Sequence, residues 1–119
     1  MHLWAKEAEN IFPYANYLVN SQIKGLDSIH QFWSKAPSRY ARLSLPINEI
    51  YTKMHKAVAF FENNHLIKDS QKYYKAQNIG VFEFNGRGKI KCYTEYFDPI
   101  NLGQTLQMIH ITKLPASQN

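Results

Sequence analysis

The sequence predicts an α+β domain in which a curved antiparallel sheet forms a cone around a helix. Three observations predict it. A single segment with helical spacing, from Gly25 to Ala36, precedes the β-patterned part of the chain. Four long stretches of strand character follow it, between Arg42 and Phe97. The turn Asn85-Gly86-Arg87-Gly88 joins the last two as a hairpin, because Asn and Gly tolerate positive φ. Long antiparallel strands twist and curl, and a curled sheet with a helix in its concavity encloses a pocket of the kind that holds small molecules.

In chain order, Leu3 to Tyr14 reads as an extended strand with Trp4, Ile11, Phe12 and Tyr14, stopped or bent at Pro13. Ala15 to Lys24 is a loop or short hairpin. The helix starts at Gly25, with Asp27 in its first turn where a carboxylate suits the dipole. Leu26, Ile29 and Trp33 form its apolar stripe, flanked by His30 and Phe32. Pro37 ends it, because the residue before a proline avoids helix. Arg42 to Lys53 is a strand interrupted at Pro46, and Ala57 to Ile67 is a longer one rich in Val and Phe. Asp69-Ser70 turns into Lys72 to Phe84, and the hairpin returns as Lys89 to Phe97. Pro99 stops that strand, Ile100 to Met108 is a short terminal helix, and residues 114–119 are a frayed tail.

The 119 residues make one domain, with a core over about residues 3–103. Hydrophobic residues at 45% and aromatics at 14% supply core area without disulfides or a metal. No apolar run is long enough to span a membrane. The single cysteine, Cys92, excludes an internal disulfide, and the first residues lack a signal-peptide pattern, so the expectation is a cytoplasmic protein. Fourteen Lys and Arg against nine Asp and Glu leave a net charge of +5. The basic residues are scattered, and even the group Arg87, Lys89 and Lys91 reads as a solvated strand face, so no specific nucleic-acid site is expected. The histidines are too dispersed for a metal site, and Gly86-x-Gly88 lies between strands, where it is a turn and no phosphate loop.

Four stretches carry a family resemblance: Asn10-Ile11-Phe12-Pro13-Tyr14, Ile23 through Ile29, Val81 through Ile90, and Tyr93-Thr94-Glu95-Tyr96-Phe97-Asp98-Pro99. Together they resemble the SnoaL-like branch of the nuclear transport factor 2-like superfamily, whose fold is also called cystatin-like, with the closest look to phenazine-biosynthesis A/B-type proteins. The resemblance covers roughly residues 3–103, and its most specific part is Gly88-Lys89-Ile90 with Glu95-Tyr96-Phe97-Asp98-Pro99. It implies a ligand cavity inside the cone, acid/base chemistry without cofactor or metal, and homodimers through the outer sheet face. Family members normally begin with a long helix that roofs the cone, whereas this sequence opens on the first strand, so an uncovered cone is expected.

The resemblance also implies Glu95 as a general acid, because phenazine-type proteins place a glutamate at the matching strand end. Glu95 shares a strand face with Tyr93 and Phe97. On an apolar wall, desolvation would raise its pKa and leave an acid near neutral pH; otherwise it points to solvent or pairs with a lysine. Asp98 either caps a turn before Pro99 or stands as a second carboxylate at the cavity rim, as the family's cyclases use an aspartate. The phenazine-type helix histidine and serine fall here on Phe32 and Ala36, so that pair is absent. His30 is either a partly exposed structural residue or its stand-in. Phe12, Tyr14, His30, Trp33, Phe60, Tyr93 and Phe97 are the expected pocket residues.

Two functions follow from these residues. One is a protein that binds a small hydrophobic molecule and acts as an isomerase, cyclase or dehydratase. The other is a non-catalytic, dimeric binding module of the same fold.

Overall fold

A computed structural model of the chain describes residues 2–15 and 20–105. Strands β1 (Trp4–Ile11) and β2 (Gln22–Lys24) form a first hairpin, followed by helices α1 (Leu26–Ser34) and α2 (Ala36–Arg39). Then come β3 (Tyr40–Arg42), β4 (Ile47–Lys53), β5 (Lys56–Ile67), β6 (Tyr73–Phe84), β7 (Ile90–Tyr96) and helix α3 (Pro99–Thr105). All seven strands lie in one curved sheet of order β2-β1-β7-β6-β5-β3, with β4 also paired to β5. None of the described helices is long and apolar enough to cross a membrane.

The meander β5-β6-β7 carries the expected hairpins. Its first turn restarts at Tyr73, and its second closes through Asn85, whose side-chain oxygen accepts from the backbone of Arg87 and Lys89. The positive φ falls on Gly88. Arg87 therefore sits in the turn, off the strand face that alternation assigned to it together with Lys89 and Lys91.

Three elements differ from the sequence reading. The segment Arg42–Lys53 is two strands, β3 and β4, both laid along β5. Between them Ser44 and Pro46 still accept backbone hydrogen bonds from Asn64 and Glu62, so Pro46 breaks the ladder without detaching the chain. Pro37 falls in the first turn of α2, where a missing N–H costs nothing, so it opens a second helical turn as well as closing the first. Strand β1 runs parallel to β7, so this one pairing in the sheet is not antiparallel. Helix α3 begins at Pro99; the expected end at Met108 and the tail 114–119 lie outside the described residues.

Bulges in β1, β3, β4 and β7 bend the sheet. Helix α1 lays Ile29 against Ala8, Phe12, Ala15, Ile23 and Phe97, with Phe32, Trp33 and Leu102 beside them. This is the core, and it fills only one end of the concave face. A buried polar chain ties it to the sheet. The Trp33 indole donates to Asn10 Oδ1 at 2.6 Å, and Asn10 Nδ2 donates to the Tyr93 carbonyl at 3.2 Å. Asn10 is fully buried, and both ends of its amide are satisfied.

Candidate functional site

Strand alternation decides which side chains look into the cone. On β5 these are Ala57, Ala59, Phe61, Asn63 and His65; on β6 they are Tyr74, Asn78, Gly80, Phe82 and Phe84; on β7, Tyr93 and Glu95 precede Phe97. With Phe12 and Trp33 from the other side, most of these residues line a cavity of about 1170 Å³. The room comes from small residues. Ala59 and Gly80 stand in register with Glu95, where larger side chains would fill the space.

Gly80 has a specific task. A Cβ there would stand 2.8 Å from Tyr93 Cε1, 3.0 Å from the Tyr93 hydroxyl and 3.3 Å from Phe61. The Tyr93 ring therefore lies across β6 in a gap that only glycine leaves. Phe82 lies tilted against it at 4.6 Å, and Trp4 meets it edge-on at 6.2 Å. From this position the Tyr93 hydroxyl donates to Glu95 Oε1 at 2.7 Å, and Asn78 Nδ2 donates to Oε2 at 3.4 Å.

Burial pushes the Glu95 carboxyl above its ordinary value, against the two hydrogen bonds, which favour the ionised form. Burial, reinforced by the Glu95 charge and its hydrogen bond, also pushes the Tyr93 phenol far up. Tyr74 is raised to about 12 by burial, with a partial offset from the neighbouring Asn63 amide. Its hydroxyl makes no hydrogen bond of ordinary geometry among the described residues, and neither does Asn78 Oδ1. His65 is pushed down by burial, and its Nδ1 accepts from the Ser44 backbone at 3.1 Å, so a neutral ring presents Nε2–H.

Of the residues singled out from sequence, Glu95, Tyr93, Phe97, Phe12 and Trp33 meet at this cavity. Four do not. Asp98 is exposed and caps α3, its Oδ1 accepting from the backbone of Ile100 and Asn101. His30 lies on the solvent side of α1, one position past the buried Ile29. Phe60 is out of phase with the inward residues of β5 and meets Tyr51 edge-on on the outer face; Phe61 takes the inward place. Tyr14, beyond Pro13, is exposed and packs on Tyr96. Sequence reasoning missed Asn78, Tyr74, His65 and Asn63. A signal for two of them exists, since Tyr74 and Asn78 share the phase of Gly80, Phe82 and Phe84 on β6. Among the described residues no three His, Cys, Asp or Glu side chains gather as a metal site.

No protein-family model matches the chain, and no curated protein does. Solved structures match it well. A candidate isomerase of Bacillus subtilis aligns at TM-score 0.81 and 22% identity, over 93% of this chain and 81% of that one. A candidate SnoaL-like polyketide cyclase of Jannaschia sp. CCS1 aligns at 0.78 and 10%, over 92% and 76%. A protein of Catenulispora acidiphila with a ketosteroid isomerase-like fold, solved in complex with trimethylamine, aligns at 0.75 and 11%, over 91% and 79%. The fold of this chain is the nuclear transport factor 2-like fold.

Two outcomes are expected. Gly80→Ala forces the Tyr93 ring out of its gap and costs about 1–3 kcal/mol of stability, read by urea unfolding; a change within the error of the wild type would show that the ring can shift freely. Glu95 also imposes a pH dependence. Between the unfolded value near 4.5 and the raised folded value, the folded protein holds a proton that the unfolded chain releases. Stability therefore falls as pH rises across that window. Glu95→Gln should flatten this part of the profile and be the more stable protein above it, as followed by thermal unfolding from pH 4 to pH 8.

Proposed function

We propose that the chain binds a small hydrophobic, carbonyl- or ring-bearing molecule in the cone, and that Glu95 is the acid group of that site. One observation carries this reading: a carboxyl held by Tyr93 and Asn78 on an aromatic wall, where burial favours its proton. Such an acid protonates a carbonyl oxygen, and its conjugate base takes a proton from the carbon beside it. Isomerisation needs only this one group, shuttling a proton between two carbons. Cyclisation or dehydration draws on the same acid. The chemistry is proton transfer and calls on no cofactor. The neighbour solved with trimethylamine supports small-molecule binding on this fold, and those described as an isomerase and a cyclase support the reaction class.

A second reading, binding without turnover, is favoured by Phe32. It stands where the resemblance implies a helix histidine, and it packs into the aromatic cluster with Phe12 and Trp33. Exchange of the α-hydrogens of 1-tetralone in heavy water separates the two. The acid/base reading expects exchange catalysed by the protein and lowered about 100-fold or more by Glu95→Gln. Tight binding of the ketone with no catalysed exchange would leave a binding module.

The lone Cys92 accords with a reducing, cytoplasmic setting. The outer sheet face is the proposed homodimer interface. Tyr51 and Phe60 are exposed there, on a surface that one layer of sheet cannot bury by itself. A stable two-fold pairing would bury roughly 1,600 Å² in total. Sedimentation equilibrium at micromolar concentration is expected to give twice 13.9 kDa; a single species at 13.9 kDa would refute the dimer.

A further inference from the structure

The cavity wall changes character on either side of Glu95, which stands level with Gly80 and Ala59. Toward the β6–β7 hairpin the wall is made by Ala57, Phe82, Phe84 and Ile90, and none of these side chains is polar. In the other direction β5 presents Asn63 and His65, and Tyr40 of β3 packs on His65. The cavity therefore has an apolar half and a polar half, with the carboxyl between them.

The His65 imidazole is firmly placed in the polar half. Its Nδ1 accepts from the Ser44 backbone at 3.1 Å, in the connection between β3 and β4. The Tyr40 and Tyr74 rings flank it, with centroids at 4.8 Å and 6.1 Å. Burial pushes the imidazole pKa down, so the ring is neutral at pH 7. With Nδ1 accepting, the proton of the neutral ring is on Nε2, which points nearly the opposite way in a five-membered ring. Two polar atoms without a partner among the described residues, the Tyr74 hydroxyl and Asn78 Oδ1, are sealed, each with under 1 Å² of accessible surface. His65 Nε2 and the Tyr40 hydroxyl have no partner there either, yet neither is sealed. Both atoms keep accessible surface, and both residues line the cavity. Burial also keeps the Tyr40 phenol protonated. Two uncharged donors thus stand open at one end of the cavity.

We propose that His65 is a second anchoring point of the cavity, where Nε2–H donates to an oxygen at the end of the ligand remote from Glu95, with the Tyr40 hydroxyl beside it. This inference rests on the reading of the cone as a ligand site. The positions of the two anchors set the spacing. The Glu95 carboxyl lies at the level of Asn78, from which it accepts. Asn78 pairs with Phe61, four residues from His65 on β5, which is about 13 Å along the strand at about 3.3 Å per residue. A hydrogen bond of about 2.8 Å at each end leaves roughly 7 Å between the two oxygens of a ligand that meets both groups. One aromatic ring with a carbonyl carbon and a hydroxyl para to each other spans about that distance. The ligand class is an uncharged, flat aryl ketone with a second oxygen across the ring, its hydrocarbon part in the apolar half.

The test compares 1-tetralone with 6-hydroxy-1-tetralone, whose hydroxyl is para to the carbonyl carbon, at pH 7. Binding is followed by quenching of tryptophan fluorescence, since Trp33 lines the cavity. The hydroxylated ketone is expected to bind about five- to tenfold more tightly, the range of one neutral hydrogen bond. His65→Asn keeps an acceptor for the Ser44 backbone near the place of Nδ1 and has no atom at the place of Nε2. It should bind both ketones with the affinity of 1-tetralone. A loosened wall would weaken both ketones, so a loss confined to the hydroxylated one separates anchoring from a structural role. Equal binding of the two ketones by the wild type, or a preference that survives in His65→Asn, overturns the proposal and leaves the ligand site standing. If neither ketone binds, the ligand site itself is refuted and the proposal with it. A measurement on the unaltered protein guards against a misfolded variant. The nitrogen-15 resonance of His65 Nε2 should move on addition of 6-hydroxy-1-tetralone and stay in place with 1-tetralone; a resonance that responds alike to both overturns the proposal.

Discussion

The Tyr93 ring lying across Gly80 is the constraint on which the rest of this structure depends. A glycine in the middle of a long strand weakens the strand locally. Here it opens a gap in β6 that a neighbouring strand fills with a phenol. Once there, Tyr93 meets Trp4 of β1 and Phe82 of β6, holds the Glu95 carboxyl, and lends its own carbonyl to Asn10. Asn10 in turn holds the Trp33 indole. Strands β1, β6 and β7 thus meet at one side chain, and helix α1 is tied through Asn10 to the main-chain carbonyl of the same residue. The parallel entry of β1 beside β7 makes this possible, because it sets Asn10 opposite Tyr93.

Two kinds of buried polar group stand in the sheet, one fully paired and one with an atom left unpaired. Asn10 is fully buried with both amide ends paired, as a polar group must be when it only holds a structure together. Asn78 and Tyr74 are nearly as buried, yet each keeps one polar atom without a hydrogen-bond partner among the described residues. A buried polar atom without a partner costs free energy comparable to a lost hydrogen bond. The same logic applies to Glu95. Its two hydrogen bonds favour charge, its surroundings favour the proton, and burial is the larger influence.

The cavity persists because the concave face is underfilled. Helix α1 covers the end near Phe12 and Phe97, while Ala57, Ala59 and Gly80 leave space further along β5 and β6. Toward the mouth, Leu43, Leu45, Ile47 and Ile50 line the cavity and are well exposed, so the entrance is apolar too. An apolar approach to an apolar interior suits an uncharged ligand, for which desolvation on entry costs little.

The sequence by itself determined the elements whose signals are local. Helix α1 follows from Leu26, Ile29 and Trp33, the last hairpin from Asn85 to Gly88, and the long strands from their β-branched and aromatic runs. Glu95 was singled out by the family resemblance at its strand end, and alternation put it on one wall with Tyr93 and with Phe97 just past β7. Phe60 shows where that reasoning stops. A Phe-Phe pair has one member on each face, and only the pairing of β5 with β4 and β6 decided that Phe61 faces inward. Asp98 and His30 went the same way, to a helix cap and a solvent face, since composition cannot tell a rim from a cap. His65 and Asn63 were invisible for a deeper reason, and the shared phase of Tyr74 and Asn78 with Gly80 is legible only once that face is known to be inside. A polar residue on a strand reads as solvent-facing until the sheet curls, and the curl comes from bulges and long-range register. Which side of a strand is inside is a property of the closed surface, and no stretch of chain carries it alone.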